Sequence, residues 1–251
     1  MKTEEVRLWP QPKWDFDFWQ TKLVVAPQPA GTLLRRIQYA ALHEGFVGLI
    51  VTGPPGIGKS IFSLKVMRAV YGDWNTALNM VVFRWIEMKM RLLDAAVNRF
   101  RIPAMESDDL GIEARRYMYR TGPRRAEEMA TIVQLIRTQL ACHIATAPML
   151  EDIASFWRER TGYIHVMLEP VPVALKKKYG KRHLVKATFA EFREKPFGIE
   201  KKVTARALID TEVPDHVYTR YYEKRRRYIL EIRDELLKSE GEDEGEEEEG
   251  E

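Results

Sequence analysis

Gly53-Pro54-Pro55-Gly56-Ile57-Gly58-Lys59-Ser60 is the stretch that decides how this chain folds. Ahead of it runs Phe46-Val47-Gly48-Leu49-Ile50-Val51-Thr52, a continuous apolar run of strand length. Such a run is expected of a strand buried on both faces of a parallel sheet. Behind it, Ser60 to Tyr71 carries Ile61, Leu64, Val66, Met67 and Val70 at helical spacing and stops at Gly72. Strand, glycine-rich turn and helix form the setting in which Gly-x4-Gly-Lys-Ser works as a phosphate loop. Glycines let the backbone wrap closely, so that successive amide hydrogens point inward as an anion nest. The helix start adds its positive dipole end. Lys59 is expected at the β- and γ-phosphates, and the Ser60 hydroxyl on magnesium. The chain is therefore expected to hold ATP with Mg2+ on Gly53, Pro54, Pro55, Gly56, Ile57, Gly58, Lys59, Ser60 and Ile61.

Such a site also needs an acid for the metal and a group that orients the attacking water. Asp108-Asp109 meets the need, 49 positions beyond Lys59 and after Ile102-Pro103-Ala104-Met105-Glu106-Ser107. Asp108 is expected to serve the metal and Asp109 to polarise water, with Glu106 in reserve for the second task. Glu106 and Ser107 interrupt the apolar run of a central strand, and a surface acidic turn is the competing reading. Thr146 follows Leu140–Ala145, a further strand candidate, and would sit at the carboxyl edge, which faces the ligand in doubly wound sheets. There it would sense the γ-phosphate. A helix-capping or turn role before Pro148 fits the sequence as well.

Working outward, residues 32–44 read as a helix ending at Gly45, and Met80–Phe83 as a second strand. Ile86–Phe100 and Arg124–Gln139 carry helical patterns, and another helix is expected near Met149–Arg160. Strands alternating with helices predict an α/β fold, a doubly wound parallel sheet flanked by helices. After Gly162 the rhythm changes. Tyr163–Leu168, Leu184–Phe192 and Lys201–Ile209 alternate apolar with polar residues, as an antiparallel extension does. Val213–Lys238 closes as a long basic helix. The division is an aromatic and proline-rich arm over 1–30, a core over 31–162, the extension and helix over 163–238, and an acidic disordered tail over 239–251.

The arm holds Trp9, Trp14, Phe16, Phe18 and Trp19 among Pro10, Pro12, Pro27 and Pro29. Its prolines exclude a long helix, and its aromatics call for packing on the core, a neighbouring subunit or the nucleotide base. No run of about eighteen apolar residues is present, and Met1-Lys2-Thr3-Glu4-Glu5 lacks the pattern of a signal peptide, so a cytoplasmic protein is expected. Cys142, the single cysteine, reads as buried filler, and no Cys/His cluster has metal-ligand spacing. Asparagine occurs only at Asn75, Asn79 and Asn98 while charged residues make up 31%, a balance that leans towards a thermophilic source.

The net charge of +3 hides an asymmetry. Nine of the 37 acids lie in 240–251 with no base, which leaves 28 acids against 40 bases, or +12, over residues 1–239. A basic body with an acidic tail predicts a polyanion partner. Lys176-Lys177-Lys178, Lys181-Arg182 and Lys224–Arg227 with Tyr221, Tyr222 and Tyr228 are the segments that would meet DNA phosphates and stack on bases. No helix-turn-helix or zinc-finger pattern appears, so base-specific reading is not expected. A solvated charged face is the competing reading.

Taken in order, the phosphate loop, Val82-Phe83-Arg84, Ile102-Pro103-Ala104, Asp108-Asp109-Leu110-Gly111, Leu135-Ile136-Arg137-Thr138 and Ala145-Thr146-Ala147-Pro148 resemble the DnaA-like AAA+ ATPases of archaeal fuselloviruses and related plasmids. Val213-Pro214-Asp215-His216-Val217-Tyr218 is similar too, so the resemblance covers roughly residues 32–230. It implies a RecA/AAA+-type core with Asp108 and Asp109 as the Walker B pair and Thr146 at sensor 1. Asp109 stands where strong hydrolases of the class carry glutamate, which implies slow or partner-dependent hydrolysis. It also implies a homo-oligomer with nucleotide at subunit interfaces and an arginine from the neighbour, drawn from Arg115, Arg116, Arg120, Arg137, Arg158 and Arg160. The expected role is viral or plasmid DNA replication initiation or remodelling, in the host cytoplasm. A DNA packaging or partition motor and a nucleotide-switched protein scaffold are the alternatives.

Overall fold

Every residue from Val47 to Thr52 is buried, and that strand lies inside a mixed sheet with neighbours on both sides. The computed structural model describes residues 6–26, 31–108, 134–152, 163–195 and 198–248. The strands in chain order are β1 (Val24–Ala26), β2 (Val47–Thr52), β3 (Val81–Val82), β4 (Met105–Ser107), β5 (Cys142–Ala147), β6 (Tyr163–Pro170), β7 (Leu184–Lys195) and β8 (Gly198–Asp210). The helices are α1 (Gly31–Leu42), α2 (Lys59–Tyr71), α3 (Trp74–Asn79), α4 (Trp85–Val97), α5 (Val173–Tyr179) and α6 (Asp215–Glu248). Two units result, Met1–Val213 and Pro214–Glu251. No described helix is long and apolar enough to cross a membrane.

Among the described residues the sheet runs β1-β8-β7-β6-β2-β5-β4-β3. From β6 to β3 every pairing is parallel, and from β6 to β1 every pairing is antiparallel. The α/β architecture and the antiparallel extension are therefore both present. Register lines up the carboxyl ends: Val51 pairs with Thr146, and Ala145 pairs with Ser107. Asp108 follows Ser107 directly and donates its N–H to the Val82 carbonyl at 2.9 Å.

β4 is shorter than the Ile102–Ser107 strand that the sequence predicts, because Pro103 has no N–H to give the ladder. Ile102 forms an isolated bridge to Leu140 instead. One face of the sheet is closed by α4, whose Trp85, Met88, Leu92 and Ala95 pack with Ile50, Met105, Ile136, Ala145 and Tyr163. Arg101 ties this region together. Its guanidinium donates to the carbonyls of Ala40, Leu140 and Thr138 at 2.8, 2.8 and 3.0 Å, joining the end of α1 to the chain entering β5. Cys142 is fully buried and unpaired, as filler should be, and burial pushes its thiol up from the ordinary range.

The arm packs on the core, at the far end of α2 from the phosphate loop. Lys13 and Trp14 donate backbone N–H groups to the Val70 carbonyl, and Trp19 is buried. Arg68 pairs with Asp15 at 2.9 Å and lies over the Phe18 ring at 4.7 Å. This is the packing on the core that the arm's aromatics call for. The arm also supplies β1, which pairs with β8 and which the sequence pattern did not single out.

Residues 134–139 are helical, and the remainder of the helix expected over 124–139 lies outside the described residues. Of the helix expected near 149–160, the 3-10 turn Leu150–Asp152 is described and the rest is not. The C-terminal unit is the 34-residue helix α6. It continues past Lys238 to Glu248, so the expectation of a disordered tail from residue 239 gives way. Glutamate is a strong helix former, and Gly241 and Gly245 do not stop the helix.

Candidate functional site

Three glycines give the phosphate loop its shape. Gly53, Gly56 and Gly58 have φ of 149°, 76° and 98°, a region that side chains with a Cβ rarely adopt. Gly53 is also pressed on β6, since a Cβ there would sit 2.5 Å from the Leu168 carbonyl oxygen. Gly58 precedes α2 and brings no side-chain cap to its first turn, so no side-chain oxygen competes for those amides. The Lys59 ammonium folds back over the loop and donates to the carbonyls of Gly53 at 2.8 Å and Pro54 at 3.2 Å.

Two hydroxyls converge on one carboxylate oxygen beside this loop. Ser60 Oγ donates to Asp108 Oδ1 at 2.8 Å, and Thr146 Oγ1 donates to the same oxygen at 2.5 Å. Asp108 is 1% exposed, unlike a surface acidic turn, and Thr146 is 0% exposed within β5 with its hydroxyl turned to Asp108. The sheet explains the convergence: β5 lies between β2 and β4, so its last residues bridge the loop and the acid. Among the described residues no cluster of three carboxylate, histidine or cysteine side chains could hold a metal. Magnesium is commonly held by one or two carboxylates together with substrate phosphates. The donor set Ser60 and Asp108 fits it.

Asp109 lies outside the described residues, as do Arg115, Arg116, Arg120, Arg158 and Arg160. Arg137 is described and exposed. Glu106, held in reserve for the task of Asp109, is fully buried within β4, one position before its last residue. A small pocket opens beside Asp108, lined by Val82, Phe83, Arg84, Trp85, Met88 and Ser107.

Ser107, a polar residue within β4, has a long-range partner. Ser107 Oγ lies 3.0 Å from His143 Nε2, and His143 Nδ1 lies 3.1 Å from the Tyr163 hydroxyl. This buried relay joins β4, β5 and β6 across the intervening β2, on the α4 side of the sheet. A second buried histidine, His165 on β6, meets the Thr52 hydroxyl at 2.6 Å just before the loop begins. Burial holds both imidazoles neutral, pushing His143 down to about 3 and His165 to about 4.

Sequence reasoning missed the residues on the other flank of the loop. Lys65 of α2 is 2% exposed and donates to the Asp210 carbonyl at 2.6 Å. Burial lowers its ammonium to about 8, and the neighbouring Asp210 carboxylate offsets part of that fall. Asp210 in turn pairs with Lys181 at 2.8 Å. One signal was available: α2 is apolar nearly all round, which leaves a lysine in its middle no solvated side.

No family model matches the chain. An uncharacterized protein of Acidianus two-tailed virus is 36% identical over 133 residues, covering 52% of this chain and 46% of that protein. The match thus spans about half of that relative's length. An uncharacterized protein of Sulfolobus spindle-shape virus 1 is 29% identical over 215 residues, covering 78% of this chain and 81% of that protein. A solved KaiC-like protein from Pyrococcus horikoshii overlaps at a TM-score of 0.24 with 13% identity, covering 64% of this chain and 90% of that one. At that score the likeness adds nothing to the fold, which rests on the strand order and the loop. The chain is similar to proteins of archaeal viruses, and the names of those relatives assign no activity.

Proposed function

We propose that this protein is a magnesium-dependent ATPase that acts on DNA in an archaeal viral or plasmid setting, in replication initiation or remodelling. The observation that carries the nucleotide reading is the meeting of Ser60 and Thr146 on Asp108 beside a loop with three left-handed glycines. In this reading the loop amides and Lys59 hold the phosphates, Ser60 and Asp108 hold magnesium, and Thr146 keeps the Asp108 carboxylate oriented. Magnesium, when bound, supplies neutralisation of charge on the transferred phosphoryl group. Asp109 polarises the attacking water, and an arginine from a neighbouring copy completes the site. These last two roles rest on the AAA+ resemblance.

The DNA part of the reading is supported by the +12 charge of residues 1–239 and by exposed Lys177, Lys178 and Arg182 around α5. Phosphate contacts of this kind are sequence-independent and salt-sensitive. The test is ATP turnover of wild type and Lys59→Ala, with and without double-stranded DNA, at low and moderate salt. DNA-stimulated turnover that fades with salt and is absent from Lys59→Ala is the expected result. Turnover indifferent to DNA in both salts would leave an ATPase without the DNA role. ATP binding without turnover in any condition would favour a nucleotide-switched scaffold.

A further inference from the structure

We infer that the nucleoside half of the bound nucleotide lies against residues 210–212 at the end of β8, with Glu212 accepting hydrogen bonds from the ribose hydroxyls. The inference rests on the nucleotide reading above and adds which flank of the loop the sugar occupies.

The start of α2 is bracketed by two different elements. On one flank Ser60 reaches Asp108 at the end of β4. On the other flank Gly58 abuts Thr211, where a Cβ on the glycine would stand 2.9 Å from the threonine Cβ and Oγ1. β4 and β8 lie on opposite sides of β2 in the sheet. A triphosphate whose metal-bound end runs to the Ser60–Asp108 flank leaves the loop along the Gly58 flank. Its sugar therefore meets the chain that follows β8.

That chain is held in place before any ligand arrives. Lys65 of the phosphate helix donates to the Asp210 carbonyl at 2.6 Å. The Thr211 hydroxyl and N–H both donate to the His183 carbonyl, at 2.8 and 3.0 Å. Asp210 uses one carboxylate oxygen on the Glu212 N–H at 3.0 Å and the other on Lys181 at 2.8 Å. Asp210 is thus committed to the scaffold, while Glu212 is exposed beside Thr211. A carboxylate is the group suited to accept from a vicinal diol, as acidic residues do for the ribose of dinucleotides. Lys65 and Lys181 lie within electrostatic reach of Glu212, and their charges offset its repulsion of the phosphates.

The test is calorimetric binding, with magnesium, of ATP, 2′-deoxy-ATP and inorganic tripolyphosphate to wild type, Glu212→Ala and Lys59→Ala. A hydrogen bond to a charged group predicts that wild type prefers ATP over the deoxy form by roughly tenfold. Glu212→Ala should lose that preference, weaken ATP by roughly tenfold and bind tripolyphosphate as wild type does. Glu212 is exposed, so the variant is expected to fold, and unchanged tripolyphosphate binding checks that it has. An ATP-to-deoxy-ATP ratio that stays at its wild-type value in Glu212→Ala, with tripolyphosphate still bound, overturns the inference alone. Tripolyphosphate that fails to bind wild type, or binds Lys59→Ala as tightly, overturns the nucleotide reading and this inference with it.

Discussion

The parallel half of the sheet and its antiparallel half differ in where they put polar side chains. On the parallel side, Thr52, Asp108 and Thr146 stand at or just beyond the carboxyl ends of β2, β4 and β5, all buried and all hydrogen-bonded. On the antiparallel side β7 and β8 are paired from Leu184↔Asp210 to Lys195↔Gly198, and Glu200–Thr204 face solvent. Parallel strands need crossovers, so every carboxyl end opens into a loop or a helix start, and such ends can converge on a ligand. A hairpin turns straight back, so β7 and β8 come to the loop only at their open end, where Asp210 lies. The antiparallel half contributes by buttressing, through Leu168 against Gly53, Thr211 against Gly58 and Asp210 against Lys65.

If the division of labour holds, the largest effect comes from Asp108→Asn. It should lower magnesium affinity by about 100-fold, with turnover falling in step in a magnesium titration. Intact turnover in that variant would move the metal site away from β4. Thr146→Val removes one donor to Asp108 and leaves the carboxylate, so the same titration should show a loss of about tenfold. An effect as large as that of Asp108→Asn would mean that Thr146 touches the nucleotide itself.

A pH series separates the buried polar network of the parallel half from the solvated hairpin. His143 and His165 stay neutral in the folded chain down to about 3 and 4 because they are buried. Unfolded histidine takes up its proton near pH 6.5. The unfolded state therefore binds more protons below that value, and stability falls as pH drops from about 6.5 towards 4. The slope should approach ~1.4 kcal/mol per pH unit for each histidine. Thermal melts at pH 7, 5.5 and 4.5 read it, and His143→Gln should flatten the decline. The smallest effect is expected at the hairpin, where Lys201→Ala and Lys202→Ala should leave DNA-free turnover unchanged. A drop there would show that the hairpin shapes the site.

The same division explains what could be read from the sequence. The loop was legible because Gly58-Lys59-Ser60 acts through local backbone geometry and immediate neighbours. Asp108 was legible from spacing, although Glu106 and Ser107 obscured its strand. Ser107 is polar because it meets His143, 36 positions away, and no local pattern carries that. Thr146 read equally well as a cap until the register of β5 against β4 put it beside Asp108. The buttress was invisible for a similar reason: Lys65 and Asp210 are 145 positions apart, and a lysine in a helix ordinarily reads as solvated. Arg101 was not singled out either, because the Ala40 carbonyl to which its guanidinium donates lies 61 positions away.

In the proposed function, residues 53–60 and Asp108 form one magnesium–nucleotide site. Titration of ATP into wild type and Lys59→Ala, each with and without magnesium, tests it most directly. Wild type should bind tightly and with magnesium dependence, and Lys59→Ala should lose at least about tenfold, as expected when a charged hydrogen bond to phosphate is removed. Equal affinity of the two proteins, with no dependence on magnesium, would contradict it.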